Sequence, residues 1–228
     1  MKLLILGGTG LVGQQLIAQA LAHNDVTQVI APTRTALAPH PKLHNPIVDY
    51  AHLPQDADWW QADAVLCALG TTIKIAGSKA AFSRIDHDYV IAAASLAKAA
   101  GTRHFVYNSA LGANADAGSF YLQVKGQVEN DLRALGFSAL TIVRPSLLSG
   151  GTRKDKRPAE AFAIFLSRLF GSLIPRRYRA VDVADVAAAM LHATMNASFT
   201  ATDGVAILES DQLQGALTRK TEKSRQVQ

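Results

Sequence analysis

Tyr121-Leu122-Gln123-Val124-Lys125 sets a phenol and a primary amine four residues apart. On a helix that spacing puts both side chains on one face. An ammonium a few ångströms from a phenol favours the phenolate and draws its pKa down from about 10 towards the neutral range, where the group can donate or accept a proton. Interconverting a carbonyl and an alcohol requires such a group. Ser109 ends the run Phe105-Val106-Tyr107-Asn108-Ser109, and a hydroxyl at a strand end there can hydrogen-bond a substrate carbonyl oxygen. Tyr-x-x-x-Lys also arises by chance as an exposed polar pair, so its weight comes from Ser109 and from a second motif near the N-terminus.

Gly7-Gly8-Thr9-Gly10-Leu11-Val12-Gly13 follows one apolar run and opens another. It matches two glycine registers of a dinucleotide loop: Gly8, Gly10 and Gly13, or Gly7, Gly10 and Gly13. Glycine is needed where the chain turns tightly and where backbone approaches a pyrophosphate, and the N–H groups at the helix start then face the phosphates. Gly13 lets helix and sheet pack closely. The ribose is read at the end of the second strand, where an Asp or Glu commonly meets the 2′-hydroxyl of NAD. Here the residues are Ile30-Ala31-Pro32-Thr33-Arg34. With no acid and a guanidinium present, NADP(H) is expected over NAD(H), with Arg34 on the 2′-phosphate.

Such motifs need strands that end where the motifs begin. Short β-branched runs alternate with longer amphipathic stretches, the signature of βαβ units and a parallel sheet. The expected strands are Lys2–Leu6, 26–31, 46–49, Ala64–Cys67, 103–108 and Ala139–Arg144. Helices are expected over 11–22, 79–100 and 120–135, the last two ending at Gly101 and Gly136 as C-caps. After Pro145 the alternation loosens into a charged loop over 149–157 and helices over 158–170 and 182–193. The fold expected is α/β: a Rossmann, doubly wound parallel sheet with helices on both faces and a small C-terminal region over the substrate. One domain is expected over 1–215, with 145–215 as the substrate lobe and 216–228 as a flexible tail.

Composition agrees with that class. The chain has 228 residues, 49% hydrophobic and 18% charged, with a formal charge of +5. Basic clusters lie at 153–157, 176–179 and 219–225, without the interleaved aromatics of a single-strand binder, so no nucleic-acid partner is expected. No apolar run reaches the roughly 18 to 20 residues of a membrane span, and Gly7-Gly8 cuts the N-terminal run too short for a signal peptide, so no membrane partner is expected. The single cysteine, Cys67, excludes an intramolecular disulfide and fits a reducing compartment, with the cytoplasm expected. It reads as a small buried hydrophobe, and Trp59-Trp60 as cover for a core edge. Seven histidines without ligand spacing give no metal site.

With the Gly7–Gly13 loop, Ser109, Tyr121 and Lys125, the chain resembles the short-chain dehydrogenase/reductase superfamily, and within it the atypical, Tat-interacting-protein-type oxidoreductases. The resemblance runs from the glycine loop to about Met190. More specific pieces are Cys67-Ala68-Leu69-Gly70-Thr71-Thr72, Asp86-His87-Asp88-Tyr89-Val90, the stretch from Phe120 to Glu129, and Val143-Arg144-Pro145. It implies that Tyr121 is the catalytic acid/base, that Lys125 also binds the nicotinamide ribose, and that Ser109 orients the substrate carbonyl while hydride passes to or from the nicotinamide. It implies further that Leu69, Gly70 and Thr71 line the cofactor, that Asp49 and Tyr50 approach the adenine, and that Pro145, Ser146, Leu147 and Leu148 approach the nicotinamide. Many members of the superfamily carry an asparagine in the fourth helix that helps hold a proton-relay water. Asp86 stands in that place, readable either as a water-holding carboxylate or as a helix-surface acid. The activity expected is NADP(H)-dependent reduction of a carbonyl or similar polarised double bond of a small molecule, by a monomer or homodimer. A non-catalytic NADP(H) sensor of the NmrA-like type is the alternative, and a sugar-nucleotide epimerase would need a larger lobe after Arg144.

Overall fold

The computed structural model describes residues 1–150, 175–195 and 204–217. Leu3, Leu4, Ile5 and Leu6 are apolar on both faces and fully buried, as a central parallel strand requires, and form β1 (Lys2–Leu6). There follow α1 (Leu11–Leu21), β2 (Gln28–Ile30), β3 (Leu43–His44), β4 (Ala64–Cys67), α2 (Ile73–Ala76) and α3 (Lys79–Ser83). A π-helical turn over Arg84–Asp88 leads into α4 (Tyr89–Ala99), then β5 (His104–Asn108), α5 (Phe120–Ala134), β6 (Ala139–Arg144) and β7 (Leu148–Ser149). After a short 3-10 turn at Arg176–Tyr178 come β8 (Val181–Asp182), α6 (Val183–Met195), β9 (Val205–Glu209) and α7 (Ser210–Leu213).

Among the described residues, seven strands form one sheet in the order β3-β2-β1-β4-β5-β6-β9, every neighbouring pair parallel. The chain winds outwards from β1 in both directions, so the fold is the Rossmann-like α/β arrangement expected. Side chains alternate between two cores. Leu3 and Ile5 face α1 and α6 through Leu16, Ala20, Val186 and Met190, whereas Leu4 and Leu6 face α4 and α5 through Ala94, Ala97, Val128 and Leu132. Trp59 and Trp60 close the edge of the second core, and Cys67 is fully buried within it. Gly101 (φ +90°) and Gly136 (φ +65°) end α4 and α5 in the left-handed conformation that glycine tolerates. No helix among the described residues is long and apolar enough to cross a membrane.

Several elements differ from the sequence expectation. The run 46–49 is no strand: Pro46 has no N–H to give a ladder, and only Ile47 bridges to Thr33, while Leu43–His44 pairs with β2. The stretch 79–100 divides at the π-helical turn. β9 was not expected at all, and it completes the sheet beside β6. The expected helix over 158–170 and the basic clusters at 153–157 and 219–225 lie outside the described residues, as do all but the first two residues of the expected tail.

Candidate functional site

Because all seven strands run the same way, the loops after β1, β4, β5 and β6 gather along one edge of the sheet, and the order reverses between β1 and β4. A crevice opens at such a switch point in open α/β sheets.

The glycine loop forms its floor. Gly7 has φ +83°, and a Cβ there would stand 2.6 Å from the Ala68 backbone; one on Gly13 would stand 2.0 Å from the Gly7 carbonyl oxygen. The Gly10 N–H donates to the Gly7 oxygen at 2.9 Å and closes the turn. Gly10 then caps α1 without a side-chain partner, and no acidic residue sits in the first helical turn, so the helix N-terminus presents uncompensated N–H groups to the crevice. These features fit the pyrophosphate of a dinucleotide.

Two compartments adjoin the loop, and a third continues from the second. One, of about 350 Å³, is lined by Gly7, Thr9, Gly10, Arg34, Asp49, Tyr50, Leu69, Gly70 and Thr71. Arg34 is exposed there, while Tyr50 is buried and donates to the Pro32 carbonyl at 2.9 Å. Asp49 is held below the usual carboxylate range, first by the Ala51 N–H and then by His52. The second, of about 590 Å³, runs from Thr9, Gly10, Leu11 and Val12 past Leu69, Gly70 and Thr71 to Ser109, Tyr121 and Lys125. The third, of about 650 Å³, continues from Thr71, Ser109 and Tyr121 to Pro145, Ser146, Leu147 and Leu148, with Tyr178 on its rim. Of the expected catalytic and cofactor-binding residues, only Gly13 lines none of them; it lies beneath the loop.

Helix α5 delivers Tyr121 and Lys125 on one face. Tyr121 is partly exposed at the junction of the second and third compartments, whereas Lys125 is buried. The Lys125 Nζ lies 3.1 Å from Asp86 Oδ1 and donates at 3.1 Å to the hydroxyl of Tyr107. Burial alone would pull its pKa down, but the oxygens of Tyr107, Asp86 and Tyr121 outweigh burial and hold it well above the ordinary lysine value. Asp86 is fully buried, so the helix-surface reading is wrong. Its Oδ2 accepts from the Thr71 N–H at 2.7 Å, and burial raises its pKa against the opposing pull of Lys125 and that N–H.

Ser109 departs from expectation in a different way. It borders both larger compartments, but its hydroxyl is already committed as donor to Glu129 Oε1 at 2.6 Å. Glu129 is buried and takes a two-pronged bond from Arg144, Nε at 3.0 Å and Nη2 at 2.6 Å; Arg144 reaches on to Glu209 at 3.2 Å. Sequence reasoning missed Glu129, Arg144 and Tyr107 as site residues. One signal was available: Glu129 continues the four-residue spacing of Tyr121 and Lys125 along the same helix face.

A family model described as NAD(P)H-binding matches residues 7–194. Protein HTATIP2 of Rattus norvegicus is 36% identical over 196 residues, covering 82% of this chain and 78% of that protein. The protein fmp52, mitochondrial, of Emericella nidulans is 31% identical over 183 residues, covering 74% and 76%. Among solved structures, MoeE5 in complex with UDP-glucose and NAD superposes with a TM-score of 0.66 at 17% identity over 98% of this chain and 82% of that one. UDP-glucuronic acid 4-epimerase from Bacillus cereus in complex with NAD gives 0.64 at 14% identity over 92% and 78%. Those two likenesses are of fold.

Proposed function

The chain belongs to the NAD(P)H-binding family, and from that premise we propose that it is an NADP(H)-dependent oxidoreductase of the short-chain dehydrogenase type. It reduces a carbonyl or similarly polarised double bond of a small molecule, with Tyr121 as acid/base. The observation that carries the reading is the position of Tyr121, on the boundary between the compartment that starts at the glycine loop and the one that ends at Pro145–Leu148.

In this reading the Gly7–Gly13 backbone and the start of α1 hold the pyrophosphate, Arg34 pairs with the 2′-phosphate, and Asp49 and Tyr50 flank the adenine. Leu69, Gly70 and Thr71 line the middle of the cofactor, Lys125 holds the nicotinamide ribose, and Pro145, Ser146, Leu147 and Leu148 close over the nicotinamide end. Bound NADP(H) supplies the hydride. The chain supplies the proton: the Tyr121 hydroxyl gives it to the substrate oxygen, and the Lys125 ammonium stabilises the phenolate left behind. Leu111, Leu122 and Leu147 give the substrate side an apolar lining.

Purified protein mixed with NADPH and a panel of aldehydes, ketones and quinones is expected to oxidise NADPH. Tyr121→Phe should lower kcat about 10²- to 10⁴-fold, the usual contribution of a positioned acid/base, with NADPH affinity unchanged. The commitment of the Ser109 hydroxyl to Glu129 favours a second reading, an NADP(H) sensor without turnover. No turnover across the panel, together with micromolar NADPH binding, would select it. Cys67, the only cysteine and buried, supports a reducing compartment, and the cytoplasm is our reading; the word mitochondrial belongs to the names of the fungal relatives.

A further inference from the structure

Resting on the oxidoreductase reading, we propose that Asp86 is a positioning residue that ties the Lys125 ammonium to the cofactor-lining backbone at Thr71, keeping the lysine charged and aimed at the nicotinamide ribose. The two carboxylate oxygens have different tasks. Oδ2 accepts the Thr71 N–H at 2.7 Å, and Oδ1 stands 3.1 Å from Lys125 Nζ. Gly70 lies directly over the pair: a Cβ there would come within 3.0 Å of Oδ1 and 3.7 Å of Nζ. The loop after β4 and the lysine of α5 are therefore fastened to each other through one side chain.

Asp86 reaches this position from the π-helical turn, a widened turn of a kind often found at functional sites. Among the described residues, four titratable groups face the lysine: Asp86 from that turn, the Tyr107 hydroxyl from β5, the Cys67 thiol from β4, and Tyr121 from its own helix. Burial pushes Cys67 up to about 12 and raises Tyr107 as well, so both are neutral at physiological pH. Tyr121 carries charge only as the phenolate. Asp86 is thus the resting counter-charge of a buried ammonium, a task that the amide of an asparagine cannot perform. Without it the lysine would be an unpaired buried cation, whose pKa falls and whose charge is lost within the accessible pH range.

Titration of the full chain with NADPH, followed by nucleotide fluorescence, tests this without turnover. All proteins compared carry Tyr121→Phe, which removes the phenol's own titration; with Asp86 intact, affinity should stay flat from about pH 7 to about pH 9.5, a range over which the 2′-phosphate, with a second pKa of about 6, is almost fully ionised. Asp86→Asn should bind NADPH roughly 10-fold more weakly near pH 7 and lose roughly another 10-fold by about pH 9.5 as Lys125 deprotonates. Asp86→Glu, which keeps the charge, should restore the flat profile. Equal affinities and flat profiles with and without Asp86→Asn overturn the proposal alone. An inflection in the profile of Tyr121→Phe alone overturns it without any Asp86 variant, including the case in which Asp86→Asn does not fold. Absence of NADPH binding by the wild type overturns the cofactor reading and this proposal with it.

Discussion

Arg34 is an exposed guanidinium at the mouth of the compartment that also holds Asp49 and Tyr50. A charge-assisted bond from such a group to a phosphate dianion contributes on the order of 1.5–3 kcal/mol, so Arg34→Ala should weaken NADPH binding by about 10- to 100-fold. NADH, which has no 2′-phosphate, should lose less than about 2-fold, and equal losses for both nucleotides in the same fluorescence titration would sink the assignment. At this scale the sequence was informative where chemistry and spacing coincide. Tyr121, Lys125 and the glycine loop could be found because each is defined by short-range geometry. The pairing of Lys125 with Asp86 and of Ser109 with Glu129 is not defined that way. Asp86 and Glu129 meet their partners through contacts between separate elements, and a carboxylate reads the same in sequence whether it is buried or on the surface. The hydroxyl of Ser109 shows the same limit, since its direction is set by Glu129 and Arg144 from other parts of the chain.

At the scale of elements, the π-helical turn docks on α5 through His87, whose ring nitrogens lie 2.8 Å from Asp88 and 2.8 Å from Asp131. Partial burial disfavours the imidazolium, but the bonds to Asp88 and then Asp131 outweigh it and raise the His87 pKa. The folded chain therefore holds this proton more tightly than the unfolded chain. Its contribution is complete below the unfolded value of about 6.5 and disappears as pH rises through the folded value. His87→Gln should thus destabilise the fold by a few tenths to about 1 kcal/mol near pH 6, the two aspartates being exposed, and by less near pH 9. Urea unfolding at both pH values checks this, and an equal loss at both would refute it. The turn itself was not legible in sequence. A pattern of small and apolar residues through 79–100 supports one long helix, and nothing in hydrophobic periodicity signals one residue too many in a turn. The strand expected at 46–49 failed for the opposite reason: local composition suggested β structure, but Pro46 cannot complete the ladder.

For the whole molecule, the two cores on either side of the sheet meet at the edge that holds the crevice. A ligand gripping α1, the loop after β4 and α5 together favours only the folded state, and at 100 times its Kd adds about 2.7 kcal/mol to stability. NADPH at that excess should raise the thermal midpoint by several degrees, and NADH at the same concentration by clearly less; equal shifts would count against Arg34 as the discriminator. The outward winding from β1 was readable from alternating runs because it is built from successive βαβ units. β9 was not. It is as long as β1, but its place beside β6 depends on a partner strand far upstream rather than on any local pattern.

That last strand bears on how the protein is made. Arg144 joins Glu129, behind Ser109, to Glu209 at the end of β9. A ribosome that has finished Ser109, Tyr121 and Lys125 has still not delivered the residue that completes this ionic chain, and β6 remains an open edge until it does. Competence therefore waits for residues 205–209, and messages truncated ahead of residue 205 yield products whose unpaired edge exposes them to chaperones and proteases.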